Sequence, residues 1–127
     1  MKELNPKHLA AVINQGPFFR HMSIQVTEIG WGISEVVTTI KEEHMNPFGS
    51  LHGGVYTSAL DTAAYWAADC DLTEERGLVT IDIKVDLLAP ILDQQVITKG
   101  ARIKSGKTIF SSYSDGENRV VIQTYSF

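Results

Sequence analysis

The clearest pattern in the sequence is a strict alternation of apolar and polar residues over 79–87. The apolar members include Val79, Ile81, Ile83 and Val85. A period of two places successive side chains on opposite faces, so the segment predicts a β-strand. Three later segments, separated by Gly-containing turns, predict further strands, and we expect the four to form an antiparallel meander. These three segments are 96–103, 108–114 and 119–127.

Near the N-terminus the apolar residues recur at helical spacing instead. Leu9, Val12 and Ile13 follow an Asn-Pro pair that suits the start of a helix, and a Gly-Pro pair at 16–17 ends the run. This pattern predicts a short amphipathic helix.

The next segments predict a β-hairpin. Residues 23–29 and 33–40 are rich in strand-forming residues, and a Gly-Trp-Gly sequence joins them. Phe18 and Phe19 precede the hairpin, and we expect them in a loop.

A long buried helix is predicted after the glycine pair at 53–54. The run that ends at Ala68 contains no Pro or further Gly, and Ala59, Ala63 and Ala67 form a stripe of small residues that permits close packing. One long helix and about six antiparallel strands indicate an α+β fold. The sheet must then curl around the helix to cover its apolar faces.

Asp61 is the first candidate for chemistry, because it is the only charge in this helix before Asp69. Burying a carboxylate is costly unless it is paired or used. The N–H groups near Gly53 lie at the positive end of the helix dipole, where they could polarise a carbonyl. Gly53 and Asp61 are separated by roughly 12 Å of helical rise. A second subunit could therefore supply the other half of a site.

Length and composition favour a single domain spanning residues 1–127, with a hydrophobic share of 43%. No apolar run approaches a membrane span, and the N-terminus lacks the apolar core of a signal peptide, so we expect a cytoplasmic protein. The lone Cys70 excludes an internal disulfide. A net charge of −4 argues against nucleic-acid binding.

One combination of residues is specific to a known family. Asn46, Gly49, the His-Gly-Gly triplet at 52–54 and Asp61, nine residues after the histidine, resemble the signature of hotdog-fold acyl-CoA thioesterases of the PaaI and THEM2 type. Further matching segments are Val-Thr-Ile-Asp at 79–82, Leu-Ala-Pro at 88–90 and Lys-Ser-Gly-Lys at 104–107. The resemblance implies the hotdog fold, with hydrolysis of an acyl-CoA thioester and no cofactor.

The resemblance also implies a role for each residue of the signature. Asp61 would activate water or attack the thioester carbon directly, and Gly53 N–H would polarise the carbonyl. His52 would fix the loop, and Asn46 would orient substrate or water from the other subunit. Thr80 matches a hydroxyl near the attacking water. Asn46 also reads as an ordinary turn residue before a proline, and Thr80 as an ordinary strand residue.

A CoA-binding surface and an oligomer follow from the same resemblance. The family builds shared sites at a twofold interface, so we expect a homodimer or a homotetramer. The basic turn after the second predicted strand of the meander and a nearby strand end would hold the CoA moiety. These residues are Leu88, Ala89, Pro90, Arg102, Lys104, Ser105, Gly106, Lys107 and Thr108.

Other interpretations of these residues are weaker. Ser50, His52 and Asp61 lack the nucleophile elbow of a catalytic triad, and His44, His52 and Asp61 match no metal-ligand pattern, so no metal is predicted. A hotdog dehydratase would separate its histidine and acid by more residues. A non-catalytic acyl-CoA-binding module would have no need of Asp61.

Overall fold

The computed structural model describes residues 5–69, 78–86, 94–104, 109–114 and 119–126. The predicted N-terminal helix and the predicted long helix are both confirmed. The helical elements are α1 Pro6–Ile13, α2 Pro17–Met22, a short 3-10 turn Glu42–His44, and α3 Gly53–Asp69.

Six antiparallel strands form one sheet over the described residues, in the order β1-β2-β4-β5-β6-β3. The α+β architecture expected from the sequence is confirmed, including the hairpin of the first two strands. The strands are β1 Ile24–Gly30, β2 Ile33–Thr39, β3 Leu78–Asp86, β4 Gln95–Lys104, β5 Ile109–Ser114 and β6 Arg119–Ser126.

Helix α3 packs closely on the middle of this sheet, because small residues line the contact. Ala59, Ala63 and Ala67 are buried. Ser34 of β2 donates a hydrogen bond to the Ala63 carbonyl oxygen. A Cβ atom built on Gly100 of β4 would overlap that same carbonyl group, so only glycine permits this approach. The alanine stripe thus has the role that the sequence predicted.

The predicted loop around Phe18 and Phe19 is wrong, because both residues lie in α2. Pro17 occupies the first turn, where its missing N–H costs nothing. The helix ends at Met22, and its cap residue Ser23 has a left-handed backbone (φ 54°) and donates its N–H to the carbonyls of Phe19 and Arg20. Six residues are too few to show a periodic apolar pattern, which explains the error.

The predicted meander of the last four strands is confirmed for β4, β5 and β6, which pair in sequence order, but the predicted pairing of β3 with β4 is wrong. β3 pairs with β6, and β4 lies between β2 and β5, with Val36 opposite Thr98. Alternation of apolar and polar residues identifies a strand but carries little information about its neighbours. The order is determined by how the sheet closes over α3.

The two edges of the sheet differ. At the β1 edge the Asn14 side chain donates to Val26 O (3.0 Å) and accepts from Val26 N–H (2.8 Å), which occupies the outward hydrogen-bonding groups of this residue. At the β3 edge Ile81 and Ile83 remain 58% and 38% exposed. An exposed apolar edge strand is a template for pairing with another chain. Only the β1 edge is blocked by a side chain in the described part of the protein.

Candidate active site

The site loop, residues 44–52, is closed by a short antiparallel ladder. Asn46 N–H donates to Ser50 O (2.7 Å), and His52 N–H donates to His44 O (2.9 Å). Between these bonds, Met45 and Leu51 form an isolated β-bridge. The ladder holds the loop directly against the start of α3.

The Asn46 side chain shapes the tip of this loop. Its Oδ1 accepts from the N–H groups of Phe48 (2.9 Å) and Ser50 (3.1 Å), and its Nδ2 donates to Ser50 Oγ (2.8 Å). Gly49 has a φ of +80°, a conformation that favours glycine. The turn role proposed for Asn46 is therefore present. One of its two amide hydrogens has no acceptor among the described residues and could bind a ligand.

The first N–H groups of α3 differ in whether they are hydrogen-bonded. His52 Nδ1 accepts from Gly54 N–H (2.8 Å), and His52 O accepts from Val55 N–H (3.0 Å). Gly53 N–H precedes the first turn and has no acceptor within the described chain. The N-terminus of α3 therefore presents one available donor at the positive end of its dipole.

Asp61 lies two turns further along α3 and is half-buried. Its Oδ1 atom is fully buried and receives no hydrogen bond from the described residues. Burial raises the pKa of the Asp61 carboxyl above its ordinary value, because desolvation penalises the charged form. A carboxylate with a raised pKa and an unoccupied oxygen is suited to accept a proton or to attack an electrophile.

Thr80 lies on the edge strand β3, half-buried, immediately before a register shift between Thr80 and Asp82. Helix α3 contacts β3, so Thr80 and Asp61 belong to neighbouring elements. The site loop and the helix start bring Asn46, His52 and Gly53 together. One helix keeps Gly53 and Asp61 roughly 12 Å apart along its axis.

The predicted CoA-binding residues lie mostly outside the described ranges. Arg102 is half-buried beside the β1–β2 turn, where its N–H donates to Gly32 O (2.8 Å). Lys104 is the last residue of β4. The remaining residues outside the described ranges are Leu88, Ala89, Pro90, Ser105, Gly106, Lys107 and Thr108.

His44 is a part of the site that the sequence does not reveal. Its ring is buried, and Nδ1 accepts from Lys41 N–H (2.9 Å). The residue lies in a short Glu-Glu-His segment whose polar composition indicates exposure rather than burial. In the sequence, His44 stands out only as a possible metal ligand with His52 and Asp61, which matches no ligand pattern, and by its position two residues before Asn46.

Within the described ranges, no three histidine, cysteine or acidic residues are grouped so as to hold a metal ion. The described helices include none long and apolar enough to cross a membrane.

The sequence profile of the thioesterase superfamily matches residues 48–112. Acyl-coenzyme A thioesterase 13 of Mus musculus is 25% identical over 120 residues, which cover 91% of this chain and 84% of that protein. The Homo sapiens protein of the same name is 30% identical over 83 residues, 63% of this chain and 57% of that protein. A Haemophilus influenzae relative is 29% identical over 89 residues, and the match spans 70% of this chain and 64% of the relative.

Solved structures share the fold. A thioesterase from Haemophilus influenzae superposes with a TM-score of 0.86 at 21% identity, over 99% of this chain and 92% of that chain. A variant of the phenylacetic acid degradation protein PaaI from Thermus thermophilus superposes with a TM-score of 0.77 at 14% identity, over 87% and 98% of the two chains.

Proposed function

This chain belongs to the thioesterase superfamily, and from that premise we propose that it hydrolyses acyl-CoA thioesters with Asp61 as its catalytic carboxylate. The observation that carries the proposal is the buried Oδ1 of Asp61, unpaired among the described residues, on a helix whose Gly53 N–H also has no acceptor among them. Two relatives named acyl-coenzyme A thioesterase 13 support the choice of acyl-CoA as substrate.

In the proposed reaction the thioester carbonyl oxygen docks on Gly53 N–H. Negative charge develops on this oxygen as the carbonyl carbon is attacked, and a fixed donor at the positive end of a helix stabilises that charge. His52 supports this arrangement because its Nδ1 accepts from Gly54 N–H, which leaves Gly53 N–H as the donor to the carbonyl oxygen. The remaining amide hydrogen of Asn46 is suited to orient the attacking water or the substrate.

Asp61 would act in one of two ways. As a general base it removes a proton from water while the water oxygen bonds to the carbonyl carbon, and the C–S bond breaks to release CoA as a thiol. As a nucleophile it bonds to the carbonyl carbon, the C–S bond breaks, and CoA leaves as a thiolate that is then protonated, which leaves an acyl anhydride on Asp61. Water then attacks the Asp61 carbonyl carbon, and the acid is released as Asp61 is regenerated. A single turnover in ¹⁸O-labelled water separates the two: a general base places ¹⁸O in the acid product, whereas the nucleophilic route delivers an unlabelled Asp61 oxygen.

We also propose that each site combines Gly53 and Asn46 of one chain with Asp61 and Thr80 of a second copy. The helical separation of Gly53 from Asp61 supports this division, and the blocked β1 edge leaves β3 as the strand for pairing. Lys84 and Asp86 lie 3.9 Å apart on one face of β3, and the period of two places Asp82 on that face. The register that we propose has its twofold axis through Ile83, because this register sets Asp82 opposite Lys84 of the second copy and so pairs opposite charges.

The proposed function is tested by thiol release from a panel of aryl-, short- and long-chain acyl-CoAs. Asp61→Asn removes the basic oxygen at nearly constant volume and should abolish turnover, whereas Glu28→Gln, which neutralises an exposed carboxylate on β1, should not. Binding of acyl-CoA without turnover by the wild-type protein would refute hydrolysis. A fully active Asp61→Asn variant would refute the role of Asp61.

A further inference from the structure

We propose that His44 is a positioning residue, whose Nδ1 atom holds the site loop in the geometry that places Asn46 and Gly53. The inference rests on the proposed thioesterase function for its kinetic consequences. His44 acts through the backbone of the loop, to which it is joined by its bonds to Lys41 and His52.

The burial of His44 is the first observation. Its side chain is 1% exposed and is among the largest fully buried side chains of the described residues, together with Val36 and Thr38. A polar ring in such a place is costly unless its nitrogens are used. An apolar residue of similar size would fill the same volume without that cost.

The bond to Lys41 is the second observation. His44 Nδ1 accepts from Lys41 N–H (2.9 Å), while His44 N–H donates to Lys41 O (3.0 Å). The ring and the backbone of one residue therefore bind both backbone groups of another. This double connection fixes the 3-10 turn that leads into the site loop.

The third observation links His44 to the site. Its carbonyl oxygen accepts from His52 N–H (2.9 Å), and His52 directly precedes Gly53. On the other side His44 is followed by Met45, whose bridge to Leu51 leads to the Asn46–Ser50 bond. A shift of His44 would therefore move both Asn46 and the Gly53 donor.

The two ring nitrogens of His44 differ in their hydrogen bonds. Because Nδ1 accepts, the neutral ring carries its hydrogen on Nε2, and Nε2 is buried without an acceptor among the described residues. The ring thus tolerates one unsatisfied donor while it keeps its Nδ1 acceptor. The structure favours Nδ1 as the functional atom, and this choice can be tested separately from Nε2.

The test compares three substitutions. His44→Asn places an amide oxygen near the position of Nδ1, His44→Gln places its amide near Nε2, and His44→Leu provides neither. We expect His44→Leu and His44→Gln to lower kcat by about tenfold to a hundredfold, the scale expected when reacting groups are displaced by about 1 Å. KM should change less than kcat. His44→Asn should recover most of kcat, and recovery by Gln instead of Asn would overturn the assignment to Nδ1.

Two controls separate positioning from stability and from the proposed function. Val36→Ala removes volume at another fully buried site, and it should lower the melting temperature without a matching loss of kcat. If Val36→Ala lost as much kcat as His44→Leu, the effect of His44 on kcat would be explained by stability alone. Amide hydrogen exchange at His52 requires no substrate: it should accelerate in His44→Leu and His44→Gln but not in His44→Asn. Failure of the wild-type protein to hydrolyse any acyl-CoA would refute the proposed function, while uniform exchange across the variants would refute the role of His44.

Discussion

His52 Nδ1 and Gly54 N–H are joined by a 2.8 Å hydrogen bond at the start of α3. The bond caps the helix with a side chain, although histidine is not a common capping residue. It also occupies Gly54 N–H, whereas Gly53 N–H has no acceptor within the described chain and can donate to a substrate. A catalytic triad would need both ring nitrogens of His52, one to accept the proton of a serine and the other to donate to a carboxylate, and Nδ1 instead accepts from Gly54 N–H.

The first prediction concerns this cap. His52→Ala should lower the free energy of unfolding by about 1 kcal/mol, the usual cost of a lost N-cap, and should also lower kcat. His52→Asn supplies an oxygen that can accept from Gly54 N–H and should retain the stability. Thermal unfolding and thiol-release assays measure the two effects. Equal stability of the two variants would contradict the capping role.

Local features of this fold were predictable, whereas its long-range pairings were not. The alternation of β3, the alanine stripe of α3 and the β1–β2 hairpin each follow from neighbouring residues. The placement of β3 beside β6 depends on how the whole sheet closes over the helix. The bond from Asn14 to Val26 likewise joins residues twelve positions apart, with no periodic signal in the sequence.

In the candidate site, too, local features were predictable and long-range ones were not. The signature places Asn46, His52 and Gly53 close together because they are close in sequence, and the loop hydrogen bonds confirm that proximity. His44 was not predicted, because its function depends on burial of one ring and on a backbone partner. Neither property can be read from residue type.

The second prediction concerns the charge of Asp61. Burial raises its pKa in the folded state, so folding favours the protonated form. The resulting stability is present below the carboxyl group's ordinary pKa of about 4 and is lost as pH rises through the folded-state pKa. Asp61→Asn is uncharged at every pH, and its stability relative to wild type should therefore increase from pH 4 to pH 8. Urea unfolding at several pH values measures this, and a pH-independent difference would contradict the desolvation of Asp61.

The third prediction concerns the β3 edge. Asp82→Lys should place like charges opposite each other in the proposed dimer and weaken it roughly tenfold, since each cross-strand pair contributes about 0.2–1 kcal/mol and the twofold doubles it. Lys84→Asp alone should do the same, and the double exchange Asp82→Lys with Lys84→Asp should restore association. Sedimentation equilibrium measures the dimer constant. Additive weakening in the double variant would place the twofold axis elsewhere.

The fourth prediction concerns the sharing of the site between chains. Asp61→Ala chains and Asn46→Ala chains should each be inactive, but each mixed dimer contains one site with both native residues. Co-refolding equal amounts should give half mixed dimers with half of their sites intact, and thus about a quarter of wild-type activity. A mixture as inactive as its components would mean that both residues act within one chain.

The last prediction concerns how a chain with a net charge of −4 holds a polyanionic substrate. The CoA phosphates need a local group of cations and backbone donors rather than overall positive charge. Lys104 at the end of β4 and Lys107, three residues later in the sequence, are the proposed cations. Replacing both with Ala should raise KM for acyl-CoA with a smaller effect on kcat, because the nucleotide end is remote from the reacting carbon and is bound similarly in ground and transition states.

Two measurements, one at varied ionic strength and one with a truncated substrate, distinguish the loss of phosphate binding from a general loss of activity. Exposed charges are screened by salt, so KM of the wild-type protein should rise with ionic strength and that of the double variant should rise less. An acyl-pantetheine thioester lacks the nucleotide and should be hydrolysed equally by both. The control is Lys7→Ala with Lys99→Ala, which removes the same charge from exposed positions on α1 and β4. Because the overall charge changes equally in both double variants, a similar rise in KM for the control would assign the effect to the net charge of the protein rather than to a phosphate site formed by Lys104 and Lys107.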